Sequence, residues 1–205
     1  MELYLGYARA QNDSSLFDSG VNDYLTVFTK GSKDGQDRDD RVLNSVIILD
    51  ISGSMGGPLN SRGQGNRLEL AKEAILMFFS KLRPTDAFGL VTFNNQGHIL
   101  IPTAPKASLD MEHVAATVRA IQTNGGTTLM SGFDTAHQDL QKYLATHSCT
   151  PANMENRLIM LTDVEDNSIS HAQQFVTNIM ESTSIHTTII GISDAFRSSV
   201  CESLN

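Results

Sequence analysis

An uninterrupted apolar run, Val46–Leu49, leads directly into the polar stretch Asp50–Ser54 and limits the folds open to this chain. Four apolar residues in a row, three of them β-branched and all bounded by polar neighbours, predict a strand buried on both faces. Such a strand lies inside a sheet that has helices packed on both sides. The run therefore predicts an α/β fold.

Strands and helices alternate along the rest of the chain. The predicted strands are Ser45–Asp50, Phe88–Phe93, His98–Thr103 (closed by Pro102 and Pro105), Arg157–Asp163 and Ile185–Ile192. The predicted helices are Arg67–Arg83, Ser108–Ile121 (capped by Ser108), Thr128–Ala145 and Ser170–Ser182, with another beginning at Asp194. Because only the turn Asn94–Gly97 separates two of these strands, that pair is antiparallel. The alternation predicts a doubly wound, mostly parallel sheet with one antiparallel edge strand and helices on both faces.

The length of 205 residues suits one α/β domain preceded by an extension. We assign residues 1–43 to an N-terminal extension with one strand, Tyr24–Thr29, and an acidic loop. Residues 44–205 form the domain. The formal net charge of −8 disfavours nucleic acid as a partner, because a phosphate backbone would be repelled.

Cys149 and Cys201 are too few for a disulfide framework and lack the spacing of a zinc site. The chain shows no basic segment followed by an apolar core at its start, and no apolar run of bilayer-spanning length. We therefore expect no membrane insertion. A cytoplasmic protein is the default expectation, and an extracellular one is expected if the chain is a fragment of a larger secreted protein.

The stretch after the first strand presents oxygen ligands at alternate positions, namely Asp50, Ser52 and Ser54. One carboxylate and two hydroxyls suit a hard divalent cation such as Mg²⁺. Because the hydroxyls are neutral, most of the charge of the cation would remain uncompensated, and it would attract a further anionic oxygen from outside the chain. The alternative is that these residues merely build a turn. Asp50 lies at a strand end, so we expect it outside the core.

Two later segments fit the same site: Gly125-Gly126-Thr127 before a predicted helix, and Asp163 at the end of the apolar run from Leu158. With Asp-x-Ser-x-Ser these segments, in this order, resemble the von Willebrand factor A (integrin I-like) domain family. Further similar segments are RLELAKEA (67–74), DAFGLVTFN (86–94) and GGTTLMSG (125–132). The resemblance covers about residues 44–205 and implies a Rossmann-like fold in which the strands ending at Asp50 and Asp163 are neighbours.

The resemblance also implies a metal-ion-dependent adhesion site, or MIDAS, formed by Asp50, Ser52, Ser54, Thr127 and Asp163. In that family the threonine alternates between direct and water-mediated contact, and the second aspartate acts through water. The expected cofactor is Mg²⁺ or Mn²⁺, and the expected partner is a protein that supplies an Asp or Glu carboxylate. Since the family usually has another strand and helix beyond the position of Asn205, the resemblance implies a domain truncated at its C-terminal end.

Enzymatic activity is not expected. Ser52 stands where a haloacid-dehalogenase phosphatase would have its acidic general acid, and a serine cannot do that work at neutral pH. A Gly-x-Ser-x-Gly elbow and a phosphate-binding loop are both missing from the sequence. Two alternatives to an adhesion module remain: a recruiting subunit or domain of an enzyme complex, of chelatase or ubiquitin-related type, and a structural domain with an empty site.

Overall fold

The structure, a computed structural model, describes residues 41–59, 63, 65–147, 154–163 and 185–192. In chain order the elements are β1 (Val42–Asp50), α1 (Arg67–Lys81), β2 (Ala87–Phe93), β3 (Gly97–Pro105), α2 (Met111–Ala120), α3 (Leu129–Thr146), β4 (Met154–Thr162) and β5 (Ile185–Gly191). Short 3₁₀ turns occupy Gly53–Gly56 and Lys106–Ser108. The predictions for Tyr24–Thr29, Ser170–Ser182, the helix from Asp194, and both cysteines lie outside the described residues.

The described strands form one sheet in the order β3-β2-β1-β4-β5. β1 pairs in parallel with β2 on one side and with β4 on the other, and β4 pairs in parallel with β5. β3 pairs antiparallel with β2. This confirms the predicted mostly parallel sheet with one antiparallel edge strand, and it confirms that the strands leading to Asp50 and Asp163 are neighbours.

Side chains that alternate along β1 enter two separate cores, one on each face of the sheet. Val46 and Ile48 join the core beneath α3, whereas Ile47 and Leu49 join the core beneath α1 and α2. Each helix contributes an apolar face with helical spacing: Leu129, Phe133, Ala136 and Leu140 from α3; Leu68, Ala71, Ile75 and Phe79 from α1; Val114 and Val118 from α2. The apolar run of β1 is thus explained by burial on both faces.

The order in which strands are added to the sheet reverses at β1. After β1 it adds β2 and β3 on one side, and then crosses to add β4 and β5 on the other. In sheets of this kind the helices on either side of the reversal diverge, and ligands bind at the carboxyl ends of the strands there. The fold therefore points to the crevice where β1 and β4 end.

Two predicted boundaries are wrong in detail. Ser108 does not cap α2: it lies in a 3₁₀ turn, and the side chain of Asp110 caps the helix by accepting hydrogen bonds from the amides of Glu112 and His113. β3 ends at Pro105, two residues beyond the predicted last residue, Thr103, so it includes Pro102 and Pro105. Proline is tolerated there because β3 lies at an edge of the described sheet, where one side of the strand needs no amide donors.

No helix within the described ranges combines the length and the apolar character needed to cross a membrane.

Gly132 brings α3 close to the sheet, because a Cβ atom there would lie 2.7 Å from Phe93 Cδ1 and 2.9 Å from Ile48 Cγ2. Alanine in an ordinary helix is favoured over glycine by about 1 kcal/mol. We nevertheless expect Gly132→Ala to lower the free energy of unfolding by about 1–3 kcal/mol through overpacking, measured by urea denaturation. Gln138→Ala on the exposed side of α3 is the control, expected within about 0.5 kcal/mol of the native chain. A Gly132→Ala variant of native or higher stability would contradict the close approach.

Candidate metal centre

Asp50 ends β1 and is completely buried, with 0% of its surface exposed. One carboxylate oxygen accepts a hydrogen bond from the Ser52 amide at 2.8 Å, and the other accepts one from the Thr162 hydroxyl at 2.6 Å. The expectation that a strand end lies outside the core is therefore wrong for Asp50. Its carboxylate ties the loop after β1 to the end of β4, and this fixes its orientation.

Burial is the main cause of a raised pKa at Asp50, because desolvation penalises the charged carboxylate. The hydrogen bonds from Thr162 and Ser52 act in the opposite direction and lower the pKa, while the nearby negative charge of Asp163 raises it further. The two acids are thus close enough to repel each other in a poorly solvated place. A bound cation would relieve both the desolvation and the repulsion.

The two serines connect these acids through their hydroxyl groups. Ser54 Oγ donates to Asp163 Oδ1 at 2.8 Å, and the hydroxyls of Ser52 and Ser54 lie 3.0 Å apart. The Ser54 proton is directed to Asp163, and the Ser52 hydroxyl contributes a hydrogen bond that lowers the pKa of Asp50. Asp50, Ser52, Ser54 and Asp163, predicted from separate parts of the chain, are therefore brought together at the crevice between β1 and β4.

Thr127 belongs to a loop that packs against the loop after β1. Asn124 donates its amide to the Ile51 carbonyl at 2.7 Å, and Gly53 donates its amide to the Gly125 carbonyl at 3.1 Å. Gly125 has a positive φ of 78°, which explains the glycine at this docking point. The Thr127 side chain is exposed, and among the described residues it makes no direct hydrogen bond to the four gathered side chains. The structure thus places Thr127 in the loop beside the site, without a hydrogen bond to its four side chains.

Arg67, the first residue of α1, also contacts the crevice and was not predicted as a site residue. Its Nη1 donates to Asp163 Oδ2 at 2.5 Å and to the Ser54 carbonyl at 3.4 Å, and its Nε donates to the Pro58 carbonyl at 2.9 Å. One signal was available in the sequence. A basic residue at the first position of a helix is disfavoured by the helix dipole, so its presence there suggests a specific anionic partner.

The gathered oxygens fit a small hard cation. They comprise the carboxylates of Asp50 and Asp163 and the hydroxyls of Ser52 and Ser54, with the Thr127 loop adjacent. In the part of the chain that the structure describes, no group of three or more His, Cys, Asp or Glu side chains is placed to hold a metal. A metal at this crevice would therefore depend on the serine hydroxyls, which suit Mg²⁺ or Mn²⁺ better than a soft metal.

Sheet order, two helical layers and the position of the crevice define an α/β domain with oxygen-bearing side chains gathered at the carboxyl ends of parallel strands. The chain belongs to the von Willebrand factor type A domain family, whose model matches residues 45–165. This match confirms the family that the motif resemblance indicated. Domains of this family are typically protein-interaction modules and are generally not enzymes.

Sequence relatives include inter-alpha-trypsin inhibitor heavy chain H1 of Mesocricetus auratus, which is 30% identical over 129 residues, covering 60% of this chain and 12% of that protein. The same heavy chain of Sus scrofa is 29% identical over 142 residues, covering 67% of this chain and 14% of that protein. The chain thus spans about an eighth of the length of these relatives.

Solved structures support the fold. A von Willebrand factor type A protein from Catenulispora acidiphila superposes with a TM-score of 0.62 at 18% identity, over 80% of this chain and 36% of that one. Proximal thread matrix protein 1 from the mussel byssus, with a zinc-occupied MIDAS motif, gives a TM-score of 0.56 at 14% identity, over 80% of this chain and 39% of that one.

The raised pKa of Asp50 predicts a pH dependence of stability in the metal-free protein. The folded state binds the Asp50 proton more tightly than the unfolded chain does. Above the folded pKa the buried carboxylate is charged, and this lowers the stability of the protein. As the pH falls toward 3.8 the carboxylate becomes protonated and this penalty disappears. The free energy of unfolding of Asp50→Asn, relative to the native chain, should therefore be highest near pH 7 and decline toward about pH 4. Urea denaturation in EDTA across this range measures the difference.

The altered hydrogen bonds of Asp50→Asn change the free energy of unfolding by the same amount at every pH. Only the variation of this free-energy difference with pH therefore tests the effect of burial. Glu73→Gln, an exposed substitution on α1, is the control for a general charge effect. A difference that does not vary with pH would show that burial does not disfavour the charged form of Asp50.

Proposed function

We propose that this chain is a divalent-cation-dependent protein-binding module. Asp50, Ser52, Ser54 and Thr127 would hold Mg²⁺ or Mn²⁺, and Asp163 would act through water. The observation that carries the proposal is the convergence of two buried carboxylates and two hydroxyls at the crevice between β1 and β4. When bound, the metal supplies a positive charge that attracts a carboxylate oxygen from an Asp or Glu of a partner protein.

The net charge of the chain also favours a contact that depends on a bound metal. With a formal net charge of −8, the protein as a whole repels acidic partners. A local positive charge at the crevice would reverse that repulsion at one place, so an acidic group would bind there and not elsewhere. The interaction would depend on metal and would weaken at high salt, because exposed charges are screened.

The comparisons support the proposal at the level of the fold. Proximal thread matrix protein 1 holds zinc at a MIDAS motif on a related fold, which is a precedent for a divalent ion in such a domain. That protein is 14% identical to this chain, so the metal identity does not transfer. The ligands found here favour Mg²⁺ or Mn²⁺, because hydroxyl and carboxylate oxygens are hard donors.

One observation favours a second candidate function, a structural domain whose site does not take up metal. The guanidinium of Arg67 already neutralises Asp163, whose side chain is 1% exposed. If no metal displaces Arg67 from Asp163 or binds beside the pair, the crevice has only a structural role. The two candidates differ in one measurable property, which is the response of the protein to added metal.

Titration of Mg²⁺ into the native chain should give binding at a single site. At free metal about 100 times the dissociation constant, the free energy of unfolding should rise by roughly 2.7 kcal/mol. Mn²⁺ should behave similarly, and Ca²⁺ should bind more weakly because it prefers six to eight oxygens at longer distances. Isothermal titration calorimetry and thermal unfolding measure these effects. Absence of heat and of any thermal shift at millimolar Mg²⁺ would favour the structural domain.

Two adjacent threonines offer a matched test of the Thr127 role. Both are exposed, and Thr128 makes no side-chain cap to α3 although its amide donates to the Asn94 carbonyl. Thr127→Ala should raise the dissociation constant for Mg²⁺ about tenfold, equivalent to about 1.4 kcal/mol, through loss of one oxygen ligand. Thr128→Ala should stay within about twofold of the native chain. Equal effects of the two substitutions on calorimetric affinity would remove Thr127 from the ligand set.

A further inference from the structure

Arg67 is positioned by the crevice and not by the needs of its own helix. The start of α1 is already satisfied, because Asn66 Oδ1 accepts the Glu69 amide at 3.1 Å and the Gly57 carbonyl accepts the Arg67 amide at 3.2 Å. A positive side chain at this end of a helix opposes the helix dipole. Its guanidinium nevertheless turns toward the site, where it bridges Asp163 and two backbone carbonyls.

The ion pair is also well shielded from water. The Arg67 side chain is 20% exposed and that of Asp163 is 1% exposed. Interactions between charges in such a place are screened less than those on an open surface. A second cation that enters the same crevice would therefore experience the guanidinium strongly.

We propose that Arg67 is a built-in counter-cation that competes with the divalent metal for Asp163 and so sets the metal concentration at which the site fills. This inference rests on the function proposed above. In the metal-free protein the guanidinium neutralises one of two buried carboxylates. A divalent ion then has to displace the guanidinium from Asp163 or bind beside it, and both routes weaken metal affinity.

Formal charges give the sign of the effect. Among the described residues, Asp50 and Asp163 contribute two negative charges and Arg67 one positive charge, so together they give the metal-free crevice one net negative charge. Without Arg67 it would carry two, and a dication would bind more tightly. A guanidinium that merely braces the loop would have the opposite effect, because its removal would loosen the ligands and weaken metal binding.

The test compares neutral and charged replacements of Arg67 by calorimetric titration with MgCl₂ alone. Arg67→Met keeps an extended stem without the charge, and Arg67→Gln is a second neutral variant for use if the first does not fold. Both should lower the dissociation constant for Mg²⁺ by at least about fivefold. Arg67→Lys, which retains the charge, should stay within about twofold of the native chain.

Arg83 provides a matched control. It pairs with the buried Asp86 at 3.1 Å, and Asp86 accepts the amide of Leu43, so this pair lies at the amino end of β1, opposite the crevice. Arg83→Met removes the same charge from the chain and breaks the same kind of pair. It should leave the Mg²⁺ dissociation constant within about twofold of native, so a general charge effect is distinguished from a local one.

Thermal unfolding provides a second readout that does not depend on metal affinity alone. In EDTA, Arg67→Met should unfold at a lower temperature than the native chain, because Asp163 loses its counter-charge. At saturating Mg²⁺ the difference should shrink, since the metal replaces that charge. Arg83→Met should show the same destabilisation with and without Mg²⁺.

The outcomes separate the two proposals. Tighter Mg²⁺ binding by the neutral Arg67 variants supports the counter-cation, including the case in which the native chain gives no heat and the variants do. Unchanged or weaker binding by these variants, with a native chain that binds Mg²⁺, overturns the counter-cation and leaves the metal site intact. Absence of Mg²⁺ binding by the native chain and by every variant overturns the metal-dependent function itself.

Discussion

The buried carboxylate of Asp50 is the interaction on which the arrangement of the crevice depends. It joins the Ser52 amide on one side to the Thr162 hydroxyl on the other, and so connects the ends of two neighbouring parallel strands. A charged group without exposure is costly unless it is hydrogen-bonded or paired. The domain meets part of that cost with neutral hydrogen-bond donors, and the proposed cation would offset the rest.

The two aspartates of the crevice have different kinds of partner. Asp50 is held by neutral hydrogen-bond donors, and its pKa is raised by burial and by its neighbour. Asp163 is held by the guanidinium of Arg67 and by the Ser54 hydroxyl. In the proposed function, Asp50 is the fixed element of the site and Asp163 is the element whose partner would change. The loop carrying Thr127 is joined to the site through backbone hydrogen bonds, and in the proposed function its side chain would become a metal ligand.

Most of the fold, and four of the side chains that meet at the crevice, could be predicted because both leave local signals. Buried strands and amphipathic helices are visible as periodicity, and Asp50, Ser52 and Ser54 have the residue types and spacing of an oxygen site after such a strand. The roles of Arg67 and Thr162 were not predictable in this way. Periodicity shows which face of a helix or strand is apolar. It does not show which side chain, roughly a hundred residues away, a polar residue will contact.

The sequence separation of these contacts has a consequence for biosynthesis. Asp50 and Thr162 are 112 residues apart, and Ser54 and Asp163 are 109 residues apart. A growing chain on the ribosome exposes the first half of the crevice long before the second half exists, and long-range pairings of this kind form slowly. During that interval β1 lacks one of its two neighbours, and its apolar edge is open to wrong pairing. Completion of the crevice therefore coincides with the pairing of β4 against β1, which closes that edge of β1.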